Sequence, residues 1–288
     1  MKLVNRYIIL VVMLLVVVAT AKAQDDSWRD NLENLNYSPR YFGPNAFPLP
    51  EFRNGFLEKR WELEVRGEYH TCKGDQTKDV YAKLFVPVAQ GRAGFEVSYV
   101  FYEYYEMSPE IVAERHAAGP SWEHGANGDV IFSSYYQILR NNDRMGLLFE
   151  ASFKTASGTR IADARYTDAA NYWFDLNAGC YLFRSADSLK FITIQALAGF
   201  YCWMTNDIVH RQNDAVLHAV GASGGYKNLT FQADITGFYG YKNFGDRPLV
   251  LRTKLNYELK KNILSFRYKH GIRDYFYDSY SLAYIRCF

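Results

Sequence analysis

Tyr280-Ser281-Leu282-Ala283-Tyr284-Ile285-Arg286-Cys287-Phe288 ends the chain with a two-residue period. Tyr280, Leu282, Tyr284 and Phe288 fall on one face, while Ser279, Ser281 and Ala283 fall on the other, the alternation of a β-strand. A terminal strand with an open edge frays or recruits another chain. Pairing on both sides removes that liability, and a sheet that offers two neighbours to its last strand closes on itself. The expected fold is therefore all-β, a closed barrel, with Phe288 as the terminal signal read by the barrel-assembly machinery.

A second stretch repeats the period. Trp61, Leu63, Val65, Gly67 and Tyr69 alternate with Glu62, Glu64, Arg66, Glu68 and His70, which matches the roughly 9–11 residues of one tilted membrane-spanning strand. A half-buried soluble strand would look the same, so number and spacing decide. Eleven more strands are read at about 79–88, 93–107, 129–139, 145–156, 170–183, 190–204, 215–224, 229–240, 248–260, 263–273 and 279–288, with ends that can slip by a few residues. Connections alternate between short (90–92, 141–143, 185–187, 227–228, 261–262) and longer (71–78, 108–128, 157–169, 205–214, 241–247, 274–278). An even strand number with short turns at one mouth and longer loops at the other is the pattern of a bacterial outer-membrane barrel. A soluble sandwich has no cause to alternate its loops. The expectation is a closed antiparallel transmembrane β-barrel of about 12 strands over residues 60–288, in contact with outer-membrane lipid. Both termini are placed in the periplasm and the long loops outside.

Composition agrees. The net charge of +2 gives no electrostatic case for nucleic acid. Aromatics reach 17 %, with 24 Tyr and 20 Phe, yet mean hydropathy is slightly negative, as apolar-out, polar-in strands average out. Residues 1–23 read as a cleaved export signal: Lys2 and Arg6, an apolar run from Tyr7 to Ala19, then Ala21-Lys22-Ala23 before Gln24. That run is shorter than the about 20 apolar residues of a membrane helix. The four cysteines, Cys72, Cys180, Cys202 and Cys287, show no metal-ligand spacing, and only Cys72 and Cys202 are conceivable as a bridge near one rim.

Residues 24–59 differ in kind. Pro39, Pro44, Pro48 and Pro50 forbid a regular helix or central strand, while Trp28, Tyr37, Tyr41, Phe42, Phe47, Phe52 and Phe56 are too many aromatics for a disordered tail. An irregular segment at the periplasmic mouth fits, either a plug or a dock for a periplasmic partner. The segment from Asn36 to Glu51, followed by the alternating strand from Arg60, resembles uncharacterised outer-membrane barrel proteins of the Bacteroidota. That resemblance implies Gram-negative location and fold, and carries no site residues.

The polar faces define a lumen. Its first strand is acidic (Glu62, Glu64, Glu68), and its tenth and eleventh are basic (Arg252, Lys254, Arg267, Lys269). Outward-facing Arg or Lys at mid-depth would cost about 2–4 kcal/mol, which turns these charges inward. In a closed ring the last strand lies between the two rows and presents only Ser279, Ser281 and Ala283. Long cations can reach across those small residues, so the rows read as a closing seam in preference to a selectivity filter. The leading functional expectation is a porin-like channel or transporter for small solutes. The alternative is a structural or interaction barrel whose lumen is closed by salt bridges.

A third reading, an outer-membrane lipid hydrolase, needs a Ser–His pair on one wall. His270 points outward near a rim, while Ser265 and Ser281 point inward, so no catalytic residue is assigned and the chain is not read as an enzyme. His116 and His124 share the longest loop with Glu110, Glu114 and Glu123 and are the candidate metal ligands, but their spacing matches no ligand motif. No cofactor is expected. Gly221, Gly224 and Gly225 lack a strand–helix context for phosphate and read as a bend.

Overall fold

The computed structural model describes residues 34–118, 124–141, 144–207 and 209–288. The expected signal peptide 1–23 and residues 24–33 lie outside these. The strands are β1 (Glu62–Cys72), β2 (Asp75–Val88), β3 (Ala93–Met107), β4 (His124–Ala126), β5 (Val130–Asn141), β6 (Met145–Lys154), β7 (Asn171–Arg184), β8 (Lys190–Met204), β9 (Gln212–Tyr226), β10 (Leu229–Gly240), β11 (Leu249–Leu259), β12 (Asn262–Arg273) and β13 (Asp278–Cys287). All but β4 form one antiparallel ring of neighbours in sequence. It closes where β1 pairs with β13, from Glu62 opposite Cys287 to Thr71 opposite Asp278. The chain is a twelve-stranded transmembrane β-barrel, and β4 adds three residues beside β3 outside that ring.

The period-2 pattern sorts the side chains radially. Along β1, Glu64 is 1 % exposed, Val65 49 % and Arg66 9 %. On β13, Leu282 is 66 % exposed, while Ser279, Ser281 and Ala283 are buried. Every wall turns large apolar side chains outward in this way, a continuous surface that water would penalise and hydrocarbon accepts.

Two expectations are corrected. The stretch 71–78 is not a longer loop: β1 and β2 continue to Cys72 and Asp75 around a two-residue turn, Lys73-Gly74. Gly74 takes a left-handed φ of 84° there, which glycine adopts without a Cβ penalty. Its polar strand residues had read as loop because this end of the hairpin lies beyond the apolar band. Uninterrupted alternation along 93–107 from Glu96 would turn Glu106 into the lumen, but Glu106 is exposed and Glu103 is buried instead. Val80 pairs with Tyr102 and Tyr81 with Val100, so Phe101 is an extra residue in a β-bulge. One extra residue exchanges the faces beyond it.

Candidate functional site

The lumen is filled from within by the chain's own N-terminal part. Residues 34–60 run along the whole bore as an irregular strap, from the mouth with the long loops to the mouth with the short turns. At the long-loop mouth, Asn206 donates to the Leu35 carbonyl (3.0 Å) and Arg40 N–H donates to Gly245 O (3.1 Å). Midway, Arg252 donates to Pro50 O (2.9 Å). At the short-turn mouth, Arg140 donates to Leu57 O (3.1 Å) and Arg60 pairs with Glu258 (2.7 Å). The described part of the segment thus extends beyond the mouth where β1 begins: Asn34 and Phe288 lie at opposite ends of the barrel. The prolines explain the form, since they exclude helix and sheet while leaving an extended chain slim enough for the bore.

The strap is two-faced. Tyr37, Phe42, Phe47 and Phe52 are buried in one apolar cluster with Trp173, Leu197, Tyr201, Trp203, Leu217 and Phe238 from β7 to β10. Phe47 meets Trp203 edge-on at 5.7 Å between ring centres. Burying each such aromatic is worth about 1.5–3 kcal/mol, so this wall anchors the strap. The other face is polar and meets the charged wall. Asn45 donates to Asp79 (2.8 Å) and Glu103 (2.9 Å). Arg53 pairs with Glu96 (2.5 Å) and lies over the Tyr135 ring at 4.2 Å. Glu51 receives Lys83 (3.0 Å) and Arg267 (3.2 Å).

Below that, backbone packs on backbone. Gly146 and Gly179 are direct partners across β6 and β7, and Gly55 (φ 72°) lies between them. A Cβ on Gly55 would stand 2.5 Å from Gly146 O and from Gly179 N. Gln137 clasps the same turn, its amide donating to Gly55 O (2.7 Å) and its carbonyl accepting from Leu57 N–H (2.7 Å).

Loops cap the other end. Helix α1 (Pro109–Glu114), started by Pro109 and capped by Ser108, delivers Arg115 to Asp75 (2.8 Å) and Tyr277 (2.7 Å). Arg165, fully buried, donates to Asp75 (2.6 Å), Thr77 (2.8 Å) and Glu103 (2.8 Å). Tyr105 hydrogen-bonds Asp163. Outside this plug, Lys242 (2.8 Å) and the N–H groups of Val209 and His210 hold the Asp207 carboxyl well below its usual range. Between cap and clasp remains a cavity of about 210 Å³, bounded by residues 44–52 of the strap and by the charged wall.

The residues singled out from sequence distribute as follows. Glu64 and Arg267 meet at 3.0 Å across β13, over Ser281, which lies opposite Arg267 on one side and Glu68 on the other. Ser281 donates to Glu68 (2.8 Å), and Glu68 pairs with Arg66 (3.0 Å). Arg252 does not cross the seam. It pairs with its neighbour Asp234 at 2.7 Å, which β10 places directly opposite. Lys254 and Lys269 face the cavity without a carboxylate within ion-pair distance among the described residues, and Lys269 lies over Tyr275 at 4.4 Å. Glu62 is half-buried near the short-turn mouth. Phe288 is exposed, its N–H donating to Trp61 O (3.1 Å).

His116 and His124 share no set of metal-ligand atoms among the described residues; Glu123 lies outside them. Glu68, His70 and Asp79 do converge, but His70 is already bonded to Asp79 (2.9 Å) and Ser279 (2.7 Å). His270 has an acid partner on the outer face, Asp278 at 2.7 Å, and no serine among the described residues hydrogen-bonds it. All four cysteines are free, and Cys72 on β1 and Cys202 on β8 belong to separate walls. Sequence reasoning missed Glu51, Arg53, Arg115 and Arg165. All four lie outside strands, where periodicity assigns no direction. The proline spacing around Glu51 was the available signal.

No protein-family model matches the chain, and no curated protein matches it in sequence. Solved structures share its shape. The transport unit of the autotransporter AIDA-I from Escherichia coli superposes with a TM-score of 0.52 at 7 % identity, over 88 % of this chain and 100 % of that one. The KdgM porin gives 0.48 at 10 % identity, over 78 % and 99 %. The COG4313 outer membrane channel from Pseudomonas putida F1 gives 0.48 at 10 % identity, over 84 % and 100 %. The likeness to the AIDA-I unit is one of fold, a closed antiparallel barrel.

Proposed function

We propose that this protein is an outer-membrane channel for small polar solutes, held closed at rest by its own N-terminal strap. The short turns face the periplasm and the long loops face outward in this reading, with Phe288 serving assembly. The observation that carries it is the lumen's division into an apolar wall that anchors residues 34–60 and a charged wall that borders a persisting cavity. A purely structural barrel gains nothing from holding charge against a cavity, because unpaired interior charge costs stability. Twelve strands enclose more space than the side-chain-filled eight and less than the open sixteen, so a single extended segment suffices to close the bore. With its aromatics buried in the lumen, the strap suits a plug better than a dock for a periplasmic partner.

Planar-bilayer recording tests this. The full chain should conduct rarely and weakly, and a chain lacking residues 36–57 should conduct steadily if its band still shifts on heating in SDS gels. A strapless barrel that folds and stays silent would favour the structural alternative, which the buried ion pairs of Asp75, Arg115 and Arg165 otherwise support.

A further inference from the structure

Four cations form a square on two adjacent strands. In the β11–β12 ladder, Arg252 stands opposite Lys269 and Lys254 opposite Arg267. Like charges directly opposed on a sheet destabilise it, so the arrangement calls for anions. Among the described residues the walls answer only the arginines, Asp234 taking Arg252 and Glu64 taking Arg267. The strap adds one further anion, which reaches Arg267 but neither lysine of the square. Glu51 brings its carboxylate within 3.2 Å of Arg267, 3.0 Å of Lys83 and 3.8 Å of Arg66.

Glu51 differs from the other carboxylates of this network. Glu64 is 1 % exposed, whereas Glu51 is 38 % exposed and borders the cavity. It sits on no strand. Pro48 and Pro50 fix the backbone just before it, and Arg252 holds Pro50 O, which sets the height of the carboxylate. A charge partly open to the cavity can be reached by a solute where a fully buried one cannot, so of the carboxylates paired with Arg267 it is Glu51, not Glu64, that a solute can displace.

We propose that the cationic square is a binding site for the carboxylate group of a small anionic solute, and that Glu51 is its resident intramolecular competitor. An arriving carboxylate takes over Arg267 and gains Lys254, which Glu51 leaves unpaired. The middle of the strap is then released while its aromatics stay anchored above. Guanidinium forks donate to both oxygens of a carboxylate. The cavity's 210 Å³ is under the roughly 300 Å³ of sites for drug-sized ligands, so the solute is small. This inference rests on the channel reading for its consequence, but not for its binding step.

Calorimetric titration of the detergent-refolded full chain with glucuronate tests the binding step. Glucose, which carries a hydroxymethyl group where glucuronate has its carboxylate, is the control. Glu51→Gln should tighten glucuronate binding at least about tenfold, because the competitor is gone, and Lys254→Met should weaken it by about as much. Lys254 has no ion pair to lose among the described residues, so that variant should keep its fold and decides alone if Glu51→Gln does not refold. Equal affinity in parent and variants, equal binding of glucose, or tighter binding of inorganic phosphate than of glucuronate would overturn the site. Conductance separates the two claims. Glucuronate binding that follows the variants in a barrel that never conducts removes the channel and keeps the site. Steady conductance in the strapless chain, with no glucuronate effect in the full one, does the reverse.

Discussion

Ser281 shows how one small side chain can serve two walls. It lies between Glu68 on β1 and Arg267 on β12, donates to the first, and leaves room for the second to reach Glu64. Ser281→Leu would push methylenes into that crossing, an overpacking cost of about 1–3 kcal/mol, and would remove a hydrogen bond to a charged group, worth about 1.5–3 kcal/mol. Tyr284→Leu, on the outer face of the same strand, exchanges one apolar surface for another and loses only the bond to Asn262 (2.6 Å). Urea unfolding in detergent should therefore show a much lower midpoint for Ser281→Leu than for Tyr284→Leu; equal midpoints would mean that the seam does not depend on small residues. At Arg252 the same reasoning gives a local result. Arg252→Gln breaks the pair with Asp234 and the bond to Pro50 O, so it should loosen the strap without opening the β1–β13 closure. Faster proteolysis within the strap, with unchanged heat-shifted migration, is the expected readout.

Among the elements, the strands were legible in the sequence and the strap was not, for a physical reason. A strand's alternation states which way each side chain points, so 93–107, 190–204 and 229–240 coincide with β3, β8 and β10. It fails only where a bulge exchanges the faces, as after Phe101, or where both faces are polar, as near Lys73. The strap has no period, and its direction is fixed by partners remote in sequence, from Arg140 for Leu57 to Gly245 for Arg40. Even so, its aromatics and prolines marked it as ordered. What could not be read was the slot made by Gly146 and Gly179, two glycines in separate strands that become meaningful only once register makes them partners. A side chain on Gly179 would collide with the Asn54 carbonyl, so the wall cannot adopt it unless the strap moves. Gly179→Val should leave the barrel folded, since its strand favours β-branched residues, and should eject residues 53–57 from the slot. Raised bilayer conductance relative to the parent is the measure, and a parent-like silence would show that the clasp does not hold the bore closed.

For the whole molecule, the consequence of the strap is one of direction. β1 begins at the short-turn mouth, yet Asn34 lies at the long-loop mouth, because the strap spends the full height of the barrel before the first strand starts. An even strand number alone puts the start of β1 and the end of β13 at one mouth; a segment that crosses the bore adds one more passage, so Asn34 stands at the other. Single cysteines in a background where Cys72, Cys180, Cys202 and Cys287 are alanine make this measurable in intact cells with an impermeant maleimide. Asn34→Cys should be labelled, as should Lys73→Cys, which is exposed in the β1–β2 turn at the same mouth. Lys59→Cys, exposed at the other mouth, should react only after the outer membrane is opened. Labelling at residue 73 but not 34 would mean that the strap does not thread the barrel. Labelling at 59 alone would mean that the barrel is threaded as described but inserted the other way up.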